Sequence, residues 1–147
     1  MAQLKLEQAI AIIDASLAEA RKRNFLRLGV VVVDPGGHPI AFKREDGASF
    51  LRYELAYGKA WGALAMGFGT RELAERAGKA PAFINALSAV TQGRMVPSPG
   101  GVIITGKDGE TLGAVGASGD TGDNDEVCVL AGIAAAGLTA IPGARGK

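Results

Sequence analysis

The stretch LGVVVVDPGGHPIAFK, residues 28–43, decides the fold. Its valines, Val30–Val33, are β-branched and favour an extended strand, and the lack of polar alternation predicts that both faces of this strand are covered. Pro35 presets one dihedral angle of the turn that follows, and Gly36 and Gly37 tolerate positive φ. We therefore predict a β-hairpin whose returning strand occupies residues 38–43.

A second hairpin is predicted further along the chain, with strands at 102–105 and 111–115. The connection contains Asp108-Gly109, and an Asp-Gly pair between apolar runs is a strong hairpin signal. Apolar residues at helical spacing predict helices before, between and after the two hairpins. Because hairpin strands are antiparallel, this order predicts an α+β domain in which helices cover an antiparallel sheet. A single core serves roughly 100–200 residues, so we expect one domain over residues 1–147.

Polar residues predict where three of these helices begin. Ser49 and Thr70 have the hydroxyl groups that cap helix N-termini, and Asp123 with Glu126 three residues later has the spacing of a capping box. The last helix then has an apolar stripe that we expect to be buried: Val127, Leu130, Ala134 and Leu138.

The middle helix contains most of the large aromatic residues of the chain on one stripe. This stripe consists of Phe50, Tyr53, Tyr57, Trp61 and Leu64. Two interpretations remain open, namely packing in the core and a flat apolar wall for a ligand.

Charge and hydropathy exclude several kinds of partner. The 16 basic and 15 acidic residues give a net charge of +1, which leaves no basic excess for binding nucleic acid. The longest apolar run, residues 127–136, is about half of the ~20 residues that a membrane-spanning helix needs. Residues 1–11 lack a signal-peptide pattern, so we predict a cytoplasmic protein with no membrane partner. Small side chains pack thin layers, which favours burial of further surface in a homo-oligomer.

Metal and dinucleotide sites are not predicted. With one cysteine and one histidine, the chain cannot close a tetrahedral zinc site. The acidic residues between Asp120 and Glu126 do not have the spacing of an EF-hand loop. The glycines of residues 113–119 do not have the G-x-G-x-x-G spacing of a dinucleotide-binding loop.

A few side chains have chemistry suited to ligand binding. His38 is either an exposed turn residue or an imidazole available for haem ligation or proton transfer. Arg44, Lys59 and Arg94 are candidates for binding carboxylates, and the alternative for each is an ordinary surface charge.

Several short blocks, taken in order, resemble one family. These blocks are residues 31–38, 44–47, 59–60, 99–102, 113–119 and 125–126. Their order and spacing are similar to those of the GlcG/HbpS family, and the resemblance extends from Leu4 to about Leu138. It implies a profilin-like fold with a central five-stranded antiparallel sheet, haem binding in some members, and dimers that assemble further, up to octamers.

Three functional hypotheses follow. The first is an oligomeric protein that binds a small ligand, with haem or a related tetrapyrrole as the cofactor and with ligand-binding residues His38, Arg44, Lys59, Arg94, Ser118 and Gly119. The second is an enzyme of a catabolic gene cluster that acts on a small carboxylic acid, with Lys59, Asp125 or Glu126 moving a proton. The third is a structural or assembly protein without a ligand.

Overall fold

The computed structural model describes residues 4–146. Its helices are α1 (Leu6–Lys22), α2 (Arg52–Met66), α3 (Thr70–Lys79), α4 (Pro81–Val90) and α5 (Gly122–Ala135). Its strands are β1 (Gly29–Val33), β2 (Pro39–Arg44), β3 (Gly101–Thr105), β4 (Thr111–Ser118) and β5 (Thr139–Ile141). Among these helices, none is long and apolar enough to cross a membrane.

The strands form one antiparallel sheet in the order β2-β1-β4-β3-β5. Both predicted hairpins are present, with Val31 opposite Phe42 in the first and Val102 opposite Val115 in the second. Gly37 has a φ of +83° in the first turn, which is the conformation that this position was expected to require. The predicted α+β fold with a five-stranded antiparallel sheet is therefore confirmed.

Both faces of the interior strand β1 are covered, which explains its uninterrupted run of valines. Val30 and Val32 belong to the core formed with α1 and α5, whereas Val31 and Val33 face α2. All five residues of β1 are buried. The sheet is thus a middle layer, and residues on its α2 face can approach the first turns of that helix.

Helix α2 lies directly on the sheet because glycines face it. A Cβ atom at Gly116 would lie 2.0 Å from the Ala56 carbonyl oxygen, and one at Gly101 would lie 2.2 Å from the Lys59 carbonyl oxygen. These contacts fix the helix backbone relative to β4 and β3. They also hold Lys59 over the sheet.

The predicted starts of three helices are corrected. Helix α2 begins at Arg52 rather than at Ser49, whose hydroxyl accepts from the Leu51 N–H in the preceding turn. Thr70 is the first residue of α3 rather than its cap, because its hydroxyl bonds to the backbone of Gly101. Helix α5 is capped by Thr121, which accepts from the Asn124 N–H, so the predicted capping box is wrong.

The predicted buried face of α5 is also wrong. The structure buries Asp125, Glu126, Cys128, Val129, Gly132 and Ile133 instead. The reason is Gly132, where a Cβ atom would lie 2.4 Å from the Ile12 carbonyl oxygen of α1. Close approach of α1 at this glycine rotates the contact face away from the most apolar stripe.

Candidate functional site

The structure distributes the predicted site residues over three places. His38 precedes β2 and Arg44 ends it, so the two lie at opposite ends of the sheet. At about 3.3 Å per strand residue, six residues separate them by roughly 20 Å. Within one chain, His38 and Arg44 therefore do not share a small-ligand site.

One place is an open groove beside the β1–β2 turn. It has a volume of about 160 Å³ and is lined by Pro35, Gly36, Gly37, Trp61, Leu64 and Ala65. His38 follows the turn glycines and its side chain is 81% exposed. The Arg94 guanidinium lies over the Trp61 ring, 4.4 Å from the ring centroid. We call the groove, together with His38 and Arg94, the His38 groove.

The orientation of His38 is set by Asp34. The Asp34 carboxylate accepts hydrogen bonds from the backbone N–H groups of Gly36 (2.9 Å) and His38 (3.0 Å). The bond from His38 is the main reason that the pKa of this carboxyl lies below its usual value. Nδ1 of His38 lies 3.4 Å from the same carboxylate oxygen. With Nδ1 turned to the carboxylate, Nε2 is the ring nitrogen farther from Asp34.

The second place is the opposite end of the sheet, where Arg44 and Ser118 lie on either side of Gly29. Gly29 is the partner of Arg44 across β1–β2 and of Ser118 across β1–β4. Ser118 is buried, and its hydroxyl accepts a hydrogen bond of 2.8 Å from the Arg52 guanidinium. We call the surface formed by Arg44, Arg52 and Ser118 the Arg44–Arg52 face.

Arg52 was not predicted from the sequence. No motif marks it, and it reaches this face only because Gly29 leaves room: a Cβ atom at Gly29 would lie 2.9 Å from the Arg52 Cβ. Gly119, by contrast, packs against backbone, since a Cβ atom there would lie 2.1 Å from the Arg27 carbonyl oxygen. The structure therefore places Arg44 and Ser118 at the same end of the sheet with β1 between them, and packs Gly119 against backbone.

The third place is a buried ion pair between α2 and α5. Lys59 Nζ lies 2.9 Å from an Asp125 carboxylate oxygen, and the two side chains are 5% and 1% exposed. The second Asp125 oxygen accepts from the Asp120 N–H at 3.0 Å. Burial raises the pKa of the Asp125 carboxyl, and the charge of Lys59 offsets part of that rise. Two of the three predicted proton-transfer groups, Lys59 and Asp125, are thus engaged with each other and shielded from solvent.

Glu126 has a separate partner, Arg71. Its two oxygens lie 3.1 Å from Arg71 Nε, and Arg71 also binds Asp123. The hydrogen bonds that Arg71 donates to Glu126 and Asp123 raise the pKa of Arg71 above its ordinary value. This network joins α3 to the first turn of α5, and Arg71 was missed because it is 55 residues from Glu126.

Known proteins are similar to this chain in both sequence and structure. A relative from Citrobacter freundii, a 15.0 kDa protein in the dhaT-dhaS intergenic region, is 32% identical over 117 residues, which are 76% of this chain and 80% of the relative. The structure of a complex of PduOC with haem has a TM-score of 0.83 and 28% identity, covering 93% of this chain and 97% of that one. A double mutant of HbpS from Streptomyces reticuli has a TM-score of 0.77 and 31% identity, covering 91% of this chain and 87% of that one.

These likenesses define a class of small α+β proteins with a five-stranded antiparallel sheet. Within that class, residues 4–134 match the family described as haem degrading protein, HbpS-like. The chain belongs to this family, as the resemblance in its sequence predicted.

Proposed function

We propose that this protein is a small-ligand-binding homo-oligomer that binds haem, or a related tetrapyrrole, at the His38 groove. The observation that supports this most is the position of the single histidine of the chain, exposed beside a groove walled by its single tryptophan. Membership of the HbpS-like family and the likeness to the PduOC complex with haem favour the same ligand.

The residues of the groove match what haem requires of a protein. Haem needs an axial ligand, apolar contact for the macrocycle and cations for its propionates. In this proposal the imidazole of His38 would hold the haem iron, Trp61 and Leu64 would contact the macrocycle, and Arg94 would pair with a propionate. When bound, haem supplies an iron centre for redox or gas-ligand chemistry. The chain contributes binding and the orientation of the imidazole by Asp34.

The groove of one chain is too small to enclose a haem, which favours an oligomer. At about 160 Å³ it is smaller than the roughly 300–1,000 Å³ of pockets that enclose a drug-sized ligand, so one chain covers only part of a haem. Helix α4 contains no charged residue, and it leaves Phe83 and Val90 60% and 78% exposed. Exposed apolar surface of this kind is typical of subunit interfaces. We propose a dimer or a higher assembly, up to an octamer, in which a neighbouring copy covers the rest of the ligand.

Haem titration tests the proposal. Quenching of the fluorescence of Trp61 gives the binding isotherm, and the Soret band reports axial ligation. We expect saturation at a fixed ratio of haem to subunit, and His38→Ala should weaken binding and shift the Soret band. Lys22→Ala, which removes an exposed side chain at the end of α1, is the control and should change neither.

Native mass spectrometry of the same samples gives the subunit number and the mass of bound haem. Absence of a Soret band in the wild type would rule out haem as the ligand. A band that persists unshifted in His38→Ala would rule out ligation by histidine while leaving haem binding in place.

A further inference from the structure

At the Arg44–Arg52 face, two arginines lie at the same end of the sheet, and neither has a carboxylate partner among residues 4–146. Among residues 4–146, the Arg44 side chain has no hydrogen bond or ion pair, and the Arg52 side chain has only its bond to Ser118. A guanidinium group has five N–H donors arranged to bind a carboxylate through two parallel hydrogen bonds. Most donors of both side chains are therefore available to an anion.

The sheet register brings the two arginines to the same side. Phe42 packs its ring on Tyr53 of α2, so Phe42 and, two residues later, Arg44 point to the α2 face. Gly29 lies directly opposite Arg44 and makes room for Arg52 above it. Ser118, on the other side of Gly29, holds the Arg52 guanidinium in place. This bond pre-organises one of the two cations before any ligand arrives.

Two carboxylates in neighbouring segments, Glu45 and Asp120, have donors of their own. Glu45 accepts from the Leu28 N–H at 2.8 Å and pairs with Arg21 at 2.9 Å. Asp120 accepts from the backbone N–H groups of Leu26 and Thr121, at 2.7 Å each, and these bonds lower the pKa of its carboxyl. Neither carboxylate pairs with Arg44 or Arg52, and among residues 4–146 no ion pair joins either arginine to a carboxylate.

Two exposed apolar residues lie next to Arg52 in the sequence. Phe50 is 81% exposed and Leu51 is 47% exposed, and they directly precede Arg52 at the start of α2. Exposed aromatic and aliphatic side chains next to unpaired arginines are suited to a ligand with an anionic end and an apolar body. A purely inorganic anion would leave Phe50 and Leu51 without a partner.

We propose that the Arg44–Arg52 face is a second binding site, specific for the carboxylate of a small molecule with an aromatic or otherwise apolar body. Arg44 and Arg52 bind the carboxylate, and Phe50 and Leu51 contact the body. This site does not depend on haem, because it lies at the other end of the sheet from the His38 groove.

Calorimetric titration of the haem-free protein with benzoate, acetate and inorganic phosphate tests the site. We expect saturable binding of benzoate that is tighter than that of acetate or phosphate. Arg44→Gln and Arg52→Gln should each weaken benzoate binding roughly tenfold or more, since each removes a charge-assisted hydrogen-bond donor. Phe50→Ala should reduce the preference for benzoate over acetate. The Arg44→Gln variant should fold normally, because the Arg44 side chain is exposed and bonds to no described residue. Loss of binding in this variant is therefore not explained by misfolding.

Two control variants locate the site. Lys107→Gln removes an exposed charge in the β3–β4 turn and should leave benzoate binding unchanged, as should His38→Ala. The proposal fails if benzoate binding does not saturate, or if either control weakens it as much as Arg52→Gln does. Phosphate bound as tightly as benzoate would overturn the requirement for an apolar body.

Discussion

Replacing Lys59 by methionine removes the charge that faces Asp125 and keeps a side chain of similar length. Asp125 would remain 1% exposed, with the Asp120 N–H as its remaining hydrogen-bond donor. Breaking a buried ion pair by removing one partner costs about 3–5 kcal/mol, because the remaining charge is left without compensation. Domains of ordinary stability unfold with about 5–15 kcal/mol, so we expect Lys59→Met to fold but with much of its stability lost.

A matched exposed pair provides the control. Lys43 and Asp14 lie 2.7 Å apart, with side chains 47% and 54% exposed. Exposed ion pairs contribute about 0–1 kcal/mol, so the same substitution at Lys43 should cost little. Comparison of Lys43→Met with Lys59→Met therefore isolates the effect of burial from that of the substitution itself.

The loss in Lys59→Met should depend on pH. Burial already raises the pKa of Asp125, and removing Lys59 deletes its charge and its hydrogen bond, the two largest contributions that lower this pKa. The folded-state pKa therefore rises further above the unfolded value of about 4. A carboxyl with a raised folded pKa stabilises the folded state below its unfolded pKa, and this stabilisation is lost as pH rises through the folded pKa. The deficit of the variant relative to wild type should therefore be largest near neutrality and shrink towards about pH 4.

Urea unfolding at several pH values measures both effects. The double variant Lys59→Met/Asp125→Asn keeps an acceptor for the Asp120 N–H and removes the stranded charge, so its loss should be smaller than the sum of the single losses. The reasoning is refuted if Lys59→Met costs no more than Lys43→Met. It is also refuted if the deficit is the same at neutral and acidic pH.

Two further predictions concern buried groups of the fold. Burial raises the pKa of the Cys128 thiol to about 12. At mildly alkaline pH a thiol reagent should therefore label Cys128 only when the protein unfolds. Rapid labelling of the folded protein would contradict this. Gly116→Ala should destabilise by at least about 2 kcal/mol in urea unfolding, because the new Cβ would lie 2.0 Å from the Ala56 carbonyl oxygen. At Gly78 in α3, no atom lies within 4 Å of the new Cβ, so Gly78→Ala should instead stabilise the folded protein by up to about 1 kcal/mol. Equal effects of the two substitutions on the free energy of unfolding would disprove the packing argument.

Local chemistry in the sequence predicted the hairpins but not their arrangement in the sheet. Asp34-Pro35-Gly36-Gly37 and Asp108-Gly109 specify turns through their own dihedral preferences, so each hairpin could be read from a few adjacent residues. Pairing of β1 with β4 joins segments about eighty residues apart, and β5 has three residues, too few to show alternation. The five-stranded sheet was expected only from the family resemblance.

Partners distant in sequence explain the errors on α5. The prediction for α5 considered only its apolar residues and therefore overlooked Gly132, where the α1 backbone packs against α5. Glu126 was assigned to a capping box and Asp125 only to proton transfer, yet both are buried because Lys59 and Arg71 neutralise them from 66 and 55 residues away. A charged residue can lie on a buried face when a counter-charge meets it there, and spacing along one helix does not reveal that partner.

The two proposed binding surfaces depend on one helix. Arg52 begins α2 and Trp61 lies nine residues later, about 14 Å along the helix axis. Between them the helix backbone packs directly on Gly116 and Gly101, and Lys59 ties it to α5. Both surfaces are thus preformed by the same contacts, as a precise site on a rigid element requires. Substitution of Lys59 should therefore weaken haem binding and benzoate binding together. By contrast, His38→Ala should weaken only haem binding, and Arg44→Gln only benzoate binding. If a Lys59 variant lost one of the two activities and kept the other, α2 would not position the two surfaces jointly.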